Sequence, residues 1–202
     1  MRDDAVLLLS GGIDSTALAV WRRPKIAVTI DYGQRSAVGE LRAARRVAAV
    51  LDIAHESVSC DLAALGSGDL SSAPPAECAP VSEWWPFRNQ LLVTIGAMAA
   101  VKHGLTTVLI GCVKTDARHV DGAPDFLGAI DRVVALQEGG VRVAAPAIEL
   151  TTAELVREAR VPRHLLRAAF SCHRAEFACG TCAGCRKAIS TFADLDSLAS
   201  RA

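Results

Sequence analysis

The chain has 202 residues, and its 22 Lys and Arg balance 22 Asp and Glu, so the formal charge at pH 7 is zero. Hydrophobic residues make up 51% and charged residues 22%. This excludes a disordered chain, which needs low hydropathy and high net charge. The length suits one domain with a small appendage, and the zero balance argues against a surface that grips nucleic acid or anionic membrane over its whole extent.

The first residues, MRDDAVLLLSGG, place two acids before only five apolar residues, short of the ~7–15 of a signal peptide core. No apolar run reaches the ~18 residues of a membrane-spanning helix. A cytoplasmic protein is expected, with no membrane partner. In that compartment its seven cysteines read as metal ligands or core residues rather than disulfides.

In chain order, Ala5 to Leu9 is a short apolar run closing on Ser10-Gly11-Gly12, the pattern of a buried strand. Residues 16–22 read as a short helix and 25–30 as a second strand, closing on Asp31-Tyr32-Gly33. Residues 37–51 form the clearest amphipathic helix, with Leu41, Ala44, Val47, Ala48 and Leu51 on one face and Arg42, Arg45 and Arg46 on the other. Residues 56–60 follow as a third strand. Residues 63–83, rich in Ser, Gly, Ala and Pro, break the rhythm and read as a mobile flap over a site. A largely apolar helix over 89–103 is expected to be buried on most sides. Strands over 107–112 and 141–144 and helices over 125–137 and 152–160 complete the alternation.

Alternating strand and helix implies an α/β fold: a parallel sheet of about five strands with helices on both faces. Such sheets bind ligands at the carboxyl ends of their strands. Polar, Gly-containing sequence follows three strand ends, as SGGIDS, DYGQR and GCVKTD, which places one site at one edge of the sheet.

In Ser10-Gly11-Gly12-Ile13-Asp14-Ser15, two glycines let backbone N–H groups approach an anion, two serines add hydroxyl donors, and the following helix adds its positive end. The GxxxxGK[ST] pattern is absent, and an ordinary Gly-containing turn is the plain alternative. The segment resembles the SGGxDS signature of the PP-loop ATP pyrophosphatases. That resemblance implies that Ser10, Gly11, Gly12, Asp14 and Ser15 hold the pyrophosphate end of ATP, with Asp14 near Mg2+.

Four cysteines fall within fourteen residues, as Cys172-x6-Cys179-x2-Cys182-x2-Cys185. Four soft ligands in a closed set suit structural zinc with no open catalytic position. An iron–sulfur cluster or unligated core cysteines are the alternatives. The loop has little else to pack, so metal binding is expected to fold it.

The PP-loop followed by the C-terminal cysteine pattern resembles the 7-cyano-7-deazaguanine synthase (QueC) family. The match also rests on DYGQR at 31–35, Arg88-Asn89, Gly111 with Asp116, and Pro124-Asp125. The resemblance implies an adenine nucleotide alpha hydrolase-like domain over 1–168. A zinc-binding knuckle and C-terminal helix over 169–202 would pack on it. It also implies ATP-dependent adenylation of 7-carboxy-7-deazaguanine, attack by ammonia to give an amide, a second ATP-driven step to a nitrile, and a homodimer. On this reading Asp31, Tyr32 and Gly33 join the nucleotide site. Arg88 and Asp116 act with Asp14 in catalysis. Arg88, Asn89, His119, Asp121 and Asp125 bind the acceptor. Arg88 could clamp a carboxylate or phosphate bidentately, and Asp116 could hold magnesium.

The chain departs from the family's pattern at several points. Phe126-Leu127 follows Pro124-Asp125 in place of Cys-Arg, Thr151-Thr152 stands where Ser-Lys is usual, Ala188 replaces an arginine, and WWPFRN leads into the helix near 89. A phosphate-facing lysine is therefore missing at 152, and Lys114 and Arg118 are candidate substitutes. The acceptor pocket reads as rewritten, which leaves open a paralogue that joins a deazapurine to a protein amine. A transfer-RNA-modifying PP-loop enzyme is a further alternative, although a nucleic-acid partner is not expected. Trp84-Trp85 could stack a planar ring or, the preferred reading, anchor the flap. Cys112 reads as core rather than nucleophile. Arg157, Arg160, Arg163, Arg167, Arg174, Arg186 and Lys187 make the last third basic and read as a solvated helix face.

Overall fold

Parallel strands need crossover connections, and the apolar runs of this chain are separated by helical stretches that supply them. The computed structural model describes residues 2–199, without the side chains of Arg118, Leu198 and Ala199. The tail of the 169–202 segment, and Arg118 as a substitute cation, lie outside the described residues. Five strands, β1 (Asp3–Leu8), β2 (Pro24–Asp31), β3 (Ala54–Ser59), β4 (Thr107–Leu109) and β5 (Arg142–Ala144), form one all-parallel sheet in the order β3-β2-β1-β4-β5. Among the described residues seven α-helices accompany it: α1 (Ile13–Arg22), α2 (Ala37–Leu51), α3 (Arg88–Lys102), α4 (Pro124–Ala135), α5 (Thr152–Glu158), α6 (Arg163–Ala168) and α7 (Ala183–Ala199).

Side chains alternate across a strand, and the central β1 feeds both layers. Ala5, Leu7 and Leu9 pack with α1, α2, α5 and α6. Val6 and Leu8 join Val28, Ile30 and the buried sides of α3 and α4. Burial on both faces explains why β1 reads as one continuous apolar run. At the edge, β3 (AHESVS) has no fully buried residue. After β3 the chain crosses β1 and resumes as β4 on its far side. That reversal opens a crevice at the carboxyl ends of β1 and β4, where ligands settle in sheets of this kind.

Three expectations change. First, α3 is buried on one side only: Val93, Ala99 and Ala100 face the core, while Met98 and Val101 are exposed. Its close approach to the sheet passes through Gly96, where a Cβ would lie 2.9 Å from Leu8 Cδ2. Second, the 63–83 segment is pinned to the rest of the chain on either side of its longest exposed run, 72–78. Leu70 is buried, its carbonyl accepts from Arg35 N at 2.9 Å, and Asp69 N donates to Ser82 O at 2.6 Å. Trp85 is buried and stands edge-on to Tyr32, with ring centroids 4.9 Å apart, so the tryptophan anchors this segment. Third, a helix not legible in the sequence, α6, follows Pro162 and buries Leu165 and Leu166.

Trp85→Ala removes the largest side chain holding the segment to the sheet. It is expected to lower stability by about 3–5 kcal/mol, measured by urea denaturation monitored by far-UV circular dichroism. A loss under about 1 kcal/mol would mean the segment is not anchored there.

Candidate active site

The loop after β1 turns sharply into α1. Gly11 sits at φ +77°, and a Cβ there would lie 2.7 Å from both Ala43 Cβ and Ala44 N, so the turn docks directly on α2. Ser15 Oγ donates to Gly12 O at 3.2 Å and lies 3.1 Å from Ser10 Oγ. The start of α1 has no side-chain cap, which leaves its first-turn N–H groups and positive end for an anion.

Beside this loop sits an acid pair bridged by a lysine. Lys187 Nζ donates to Asp14 Oδ2 at 2.8 Å and to Asp116 Oδ1 at 3.0 Å. Asp14 comes from the phosphate loop, Asp116 from the turn after β4, and Lys187 from the first turns of α7, so three distant segments meet. Burial pushes the Asp14 carboxyl up, and the Lys187 charge opposes that shift. The other oxygen, Asp14 Oδ1, is buried without a hydrogen-bond partner.

The cysteine segment forms a wall of the same crevice. Phe170 N donates to Gly11 O at 2.8 Å, and Arg42 on α2 pairs with Glu176 at 2.6 Å. Ser171, His173 and Gly184 face a cavity of about 270 Å3 that also takes in the phosphate loop and Lys187. The four sulfurs lie within 4.8 Å of one another, with Cys179–Cys185 at 3.9 Å and Cys172–Cys182 at 4.0 Å. One tetrahedral ion with bonds of ~2.3 Å sets its sulfurs ~3.8 Å apart. The set therefore fits a single ion better than a cluster that gives each thiolate its own iron.

The other end of the cavity is lined by Tyr32, Glu40, Glu83, Arg88, Asn89 and His119. Burial pushes the Tyr32 hydroxyl upward. Burial also raises the Glu40 carboxyl, which accepts from Ser36 Oγ at 2.6 Å and Gln34 Nε2 at 3.0 Å. Burial disfavours the Arg88 charge, yet Tyr32, Asp121 and Glu40 around it hold its pKa above the ordinary value. Cys112 also lines the cavity, but burial pushes its thiol up to about 12, so it is neutral and a poor nucleophile near pH 7.

Ser10, Gly12, Asp14, Ser15, Tyr32, Arg88, Asn89, Asp116 and His119 all line this one cavity. The remaining sequence candidates stand behind it or away from it. Gly11 and Gly33 serve the backbone: Gly33 has φ +91° and would carry a Cβ 2.9 Å from Ala63 N. Asp31 Oδ1 accepts from Gly33 N at 3.0 Å and shapes that turn. Asp121 accepts from Asn89 N at 3.1 Å, and its carbonyl takes Asn89 Nδ2 at 2.8 Å, fixing the start of α3. Asp125 is exposed on the first turn of α4.

Lys187 corrects the sequence reading, which left it on a solvated face; it is the cation beside the phosphate loop, whereas Lys114 is exposed. Its only signal was its place two residues after the last clustered cysteine. Glu40 and Glu83 were also missed, one inside a regular amphipathic helix and one in a low-complexity stretch. Trp85 and Leu127, at two of the departures from the family pattern, are buried in the core with α3 and α4.

With this geometry in hand, comparison with known proteins is decisive. The family model described as "Queuosine biosynthesis protein QueC" matches residues 4–196. The chain belongs to the QueC family. It is 30% identical to a protein of Methanosarcina barkeri named 7-cyano-7-deazaguanine synthase, over 93% of both chains. It is 34% identical to one of the same name from Methylococcus capsulatus, over 90% of both. QueC membership makes the chain an ATP-dependent, synthase-type enzyme. Among solved structures, the U34-tRNA thiolase NcsA of Methanococcus maripaludis, which has a [4Fe-4S] cluster, shares the fold with a TM-score of 0.51 at 14% identity. That match covers 97% of this chain but 65% of the thiolase. Among the described residues, no helix is long and apolar enough to cross a membrane.

Two outcomes check the site as drawn. Cys182→Ser is expected to lose bound metal and solubility, read by elemental analysis and sedimentation; unchanged metal content would overturn the four-sulfur site. Iodoacetamide at pH 8 is expected to label exposed Cys78 well before Cys112, read by peptide mass spectrometry. Equal labelling would show that Cys112 is not the inert thiol its burial implies.

Proposed function

We propose that this QueC protein binds ATP with its pyrophosphate end on the Ser10–Ser15 loop and adenylates the carboxylate of 7-carboxy-7-deazaguanine. The observation that carries the reading is the complete SGGIDS turn at an uncapped helix start, set against an acid pair in the crevice where the sheet order reverses. The synthase name of its relatives supplies the substrate class.

The chemistry needs no protein nucleophile. A carboxylate oxygen attacks the α-phosphorus and pyrophosphate leaves. Ammonia then attacks the acyl carbon, AMP leaves with the carboxylate oxygen, and a proton is lost, giving the amide. A second ATP activates the amide oxygen in the same way, with loss of pyrophosphate and one N–H proton; loss of the second N–H proton as that oxygen departs with AMP gives the nitrile. The loop N–H groups and the Ser10 and Ser15 hydroxyls bind the departing pyrophosphate, where charge builds up. Arg88 at the opposite end holds the acceptor carboxylate and brings it to the nucleotide. Asp14 and Asp116 suit Mg2+, since Asp14 Oδ1 is a buried acceptor with no hydrogen-bond partner; when bound, the ion neutralises phosphate charge. The four thiolates suit zinc in a structural role, holding residues 170–185 against the phosphate loop.

Incubating metal-loaded protein with ATP, Mg2+, ammonia and 7-carboxy-7-deazaguanine is expected to yield AMP, pyrophosphate and a new deazapurine product, read by mass spectrometry. Asp14→Asn should cut AMP formation by roughly a hundredfold or more. ATP cleavage without a new deazapurine would move the proposal to another acceptor, such as a protein amine or transfer RNA. No AMP under any condition would end it.

A further inference from the structure

We propose that Lys187 is the phosphate-binding cation of the nucleotide site, delivered by the helix that grows out of the cysteine segment. The proposal rests on the reading of the cavity as an ATP site and adds the group that meets the pyrophosphate end.

The phosphate loop supplies N–H groups and hydroxyls but no positive side chain, because SGGIDS holds neither lysine nor arginine. A nucleotide triphosphate entering there meets Asp14 and Asp116, two carboxylates of its own sign. One ammonium against two carboxylates leaves the trio one charge negative, a balance that a divalent cation arriving with the nucleotide reverses. Among the described residues lining the cavity, the Lys and Arg side chains are Arg88 and Lys187. Arg88 stands at the far end, among Tyr32, Glu40 and Asp121. Lys187 stands at the loop.

Three features fit Lys187 to this task. Its ammonium has three donors, and the two carboxylates use two, leaving one for a phosphate oxygen. Its side chain retains 31% exposure on a flexible four-carbon stem, so it can exchange carboxylate for phosphate without moving the helix. Finally, its position is fixed from behind: Cys185 lies in the first turn of α7 and Cys182 just before it, and a Cβ on Gly184 would overlap the Ser171 carbonyl. The cysteines at the start of the helix therefore set where the ammonium points.

Thr152 gives a second handle. Its hydroxyl is buried beside Asp14, where it favours the charged carboxylate, and it shares a surface depression with Lys187. A lysine placed there would bring an ammonium to the same carboxylates from α5.

Isothermal titration of ATP, pyrophosphate and adenosine into metal-loaded protein tests the assignment. Lys187→Gln is expected to weaken ATP and pyrophosphate by roughly tenfold or more and to leave adenosine within about twofold, with metal content per chain unchanged. Lys187→Arg should keep most of the affinity, and the Thr152→Lys, Lys187→Gln double variant should regain much of it. ATP affinity within about twofold in Lys187→Gln would overturn the assignment. Wild-type protein that binds no ATP would instead overturn the nucleotide reading beneath it. Should the variants fail to fold, the wild type decides, since the chain has only four lysines. With 13C-methylated lysines, pyrophosphate should shift the Lys187 resonance and adenosine should not. An unmoved resonance would also overturn the assignment.

Discussion

The structure turns on one ammonium held between two carboxylates. Asp14 belongs to the first strand-to-helix turn, Asp116 to the turn after β4, and Lys187 to the last helix. The two acids approach each other because β1 and β4 are sheet neighbours, although about a hundred residues separate them in the chain. Without a cation their charges would repel in a partly buried crevice. Lys187 settles that conflict, and in doing so it ties the C-terminal segment to the turn that leaves the central strand of the sheet. The backbone bond from Phe170 N to Gly11 O and the Arg42–Glu176 pair add two further ties along the same seam.

What was legible in the sequence follows from how local each signal is. The sheet came through because burial on both faces makes β1 and β2 nearly uninterrupted apolar runs, and because turn residues close them. The phosphate loop and the cysteine set came through because each packs its chemistry into a few consecutive residues. Helix α6 was obscured by Pro162, which reads as a stop but here sits just ahead of a new helix. Apolar composition suggested that α3 is buried all round. One of its faces is nonetheless open, because composition records how apolar a helix is and not how many layers cover it.

The site itself divides the same way. The phosphate end is built mostly from one linear motif, while the opposite end gathers single residues from the turn after β2, α2, the 63–83 segment, α3 and the turn after β4. Glu40 and Glu83 carry no mark in the sequence that separates them from surface acids; only the fold turns them inward. Lys187 is the sharper case. Most of the seven basic residues in its stretch do sit at the surface: Arg157, Arg160, Arg163, Arg167 and Arg186 are exposed, and Arg163 pairs there with Asp196. Lys187 is drawn into the crevice because the cysteines fix the start of its helix against the phosphate loop.

That dependence bears on how the 169–202 segment should be regarded. A metal-folded loop with few apolar residues can be self-contained as far as folding energy goes, and a boundary near 168 then marks a change in what holds the chain together. It does not mark a change in function, because Ser171, Gly184 and Lys187 form one wall of the cavity whose other walls come from the sheet. Structural zinc is usually described as stabilising the protein that binds it. Here its consequence would be narrower: by holding four sulfurs within 4.8 Å of one another, it fixes the first turn of α7. That turn in turn decides whether a positive charge stands beside the phosphate loop or in solvent.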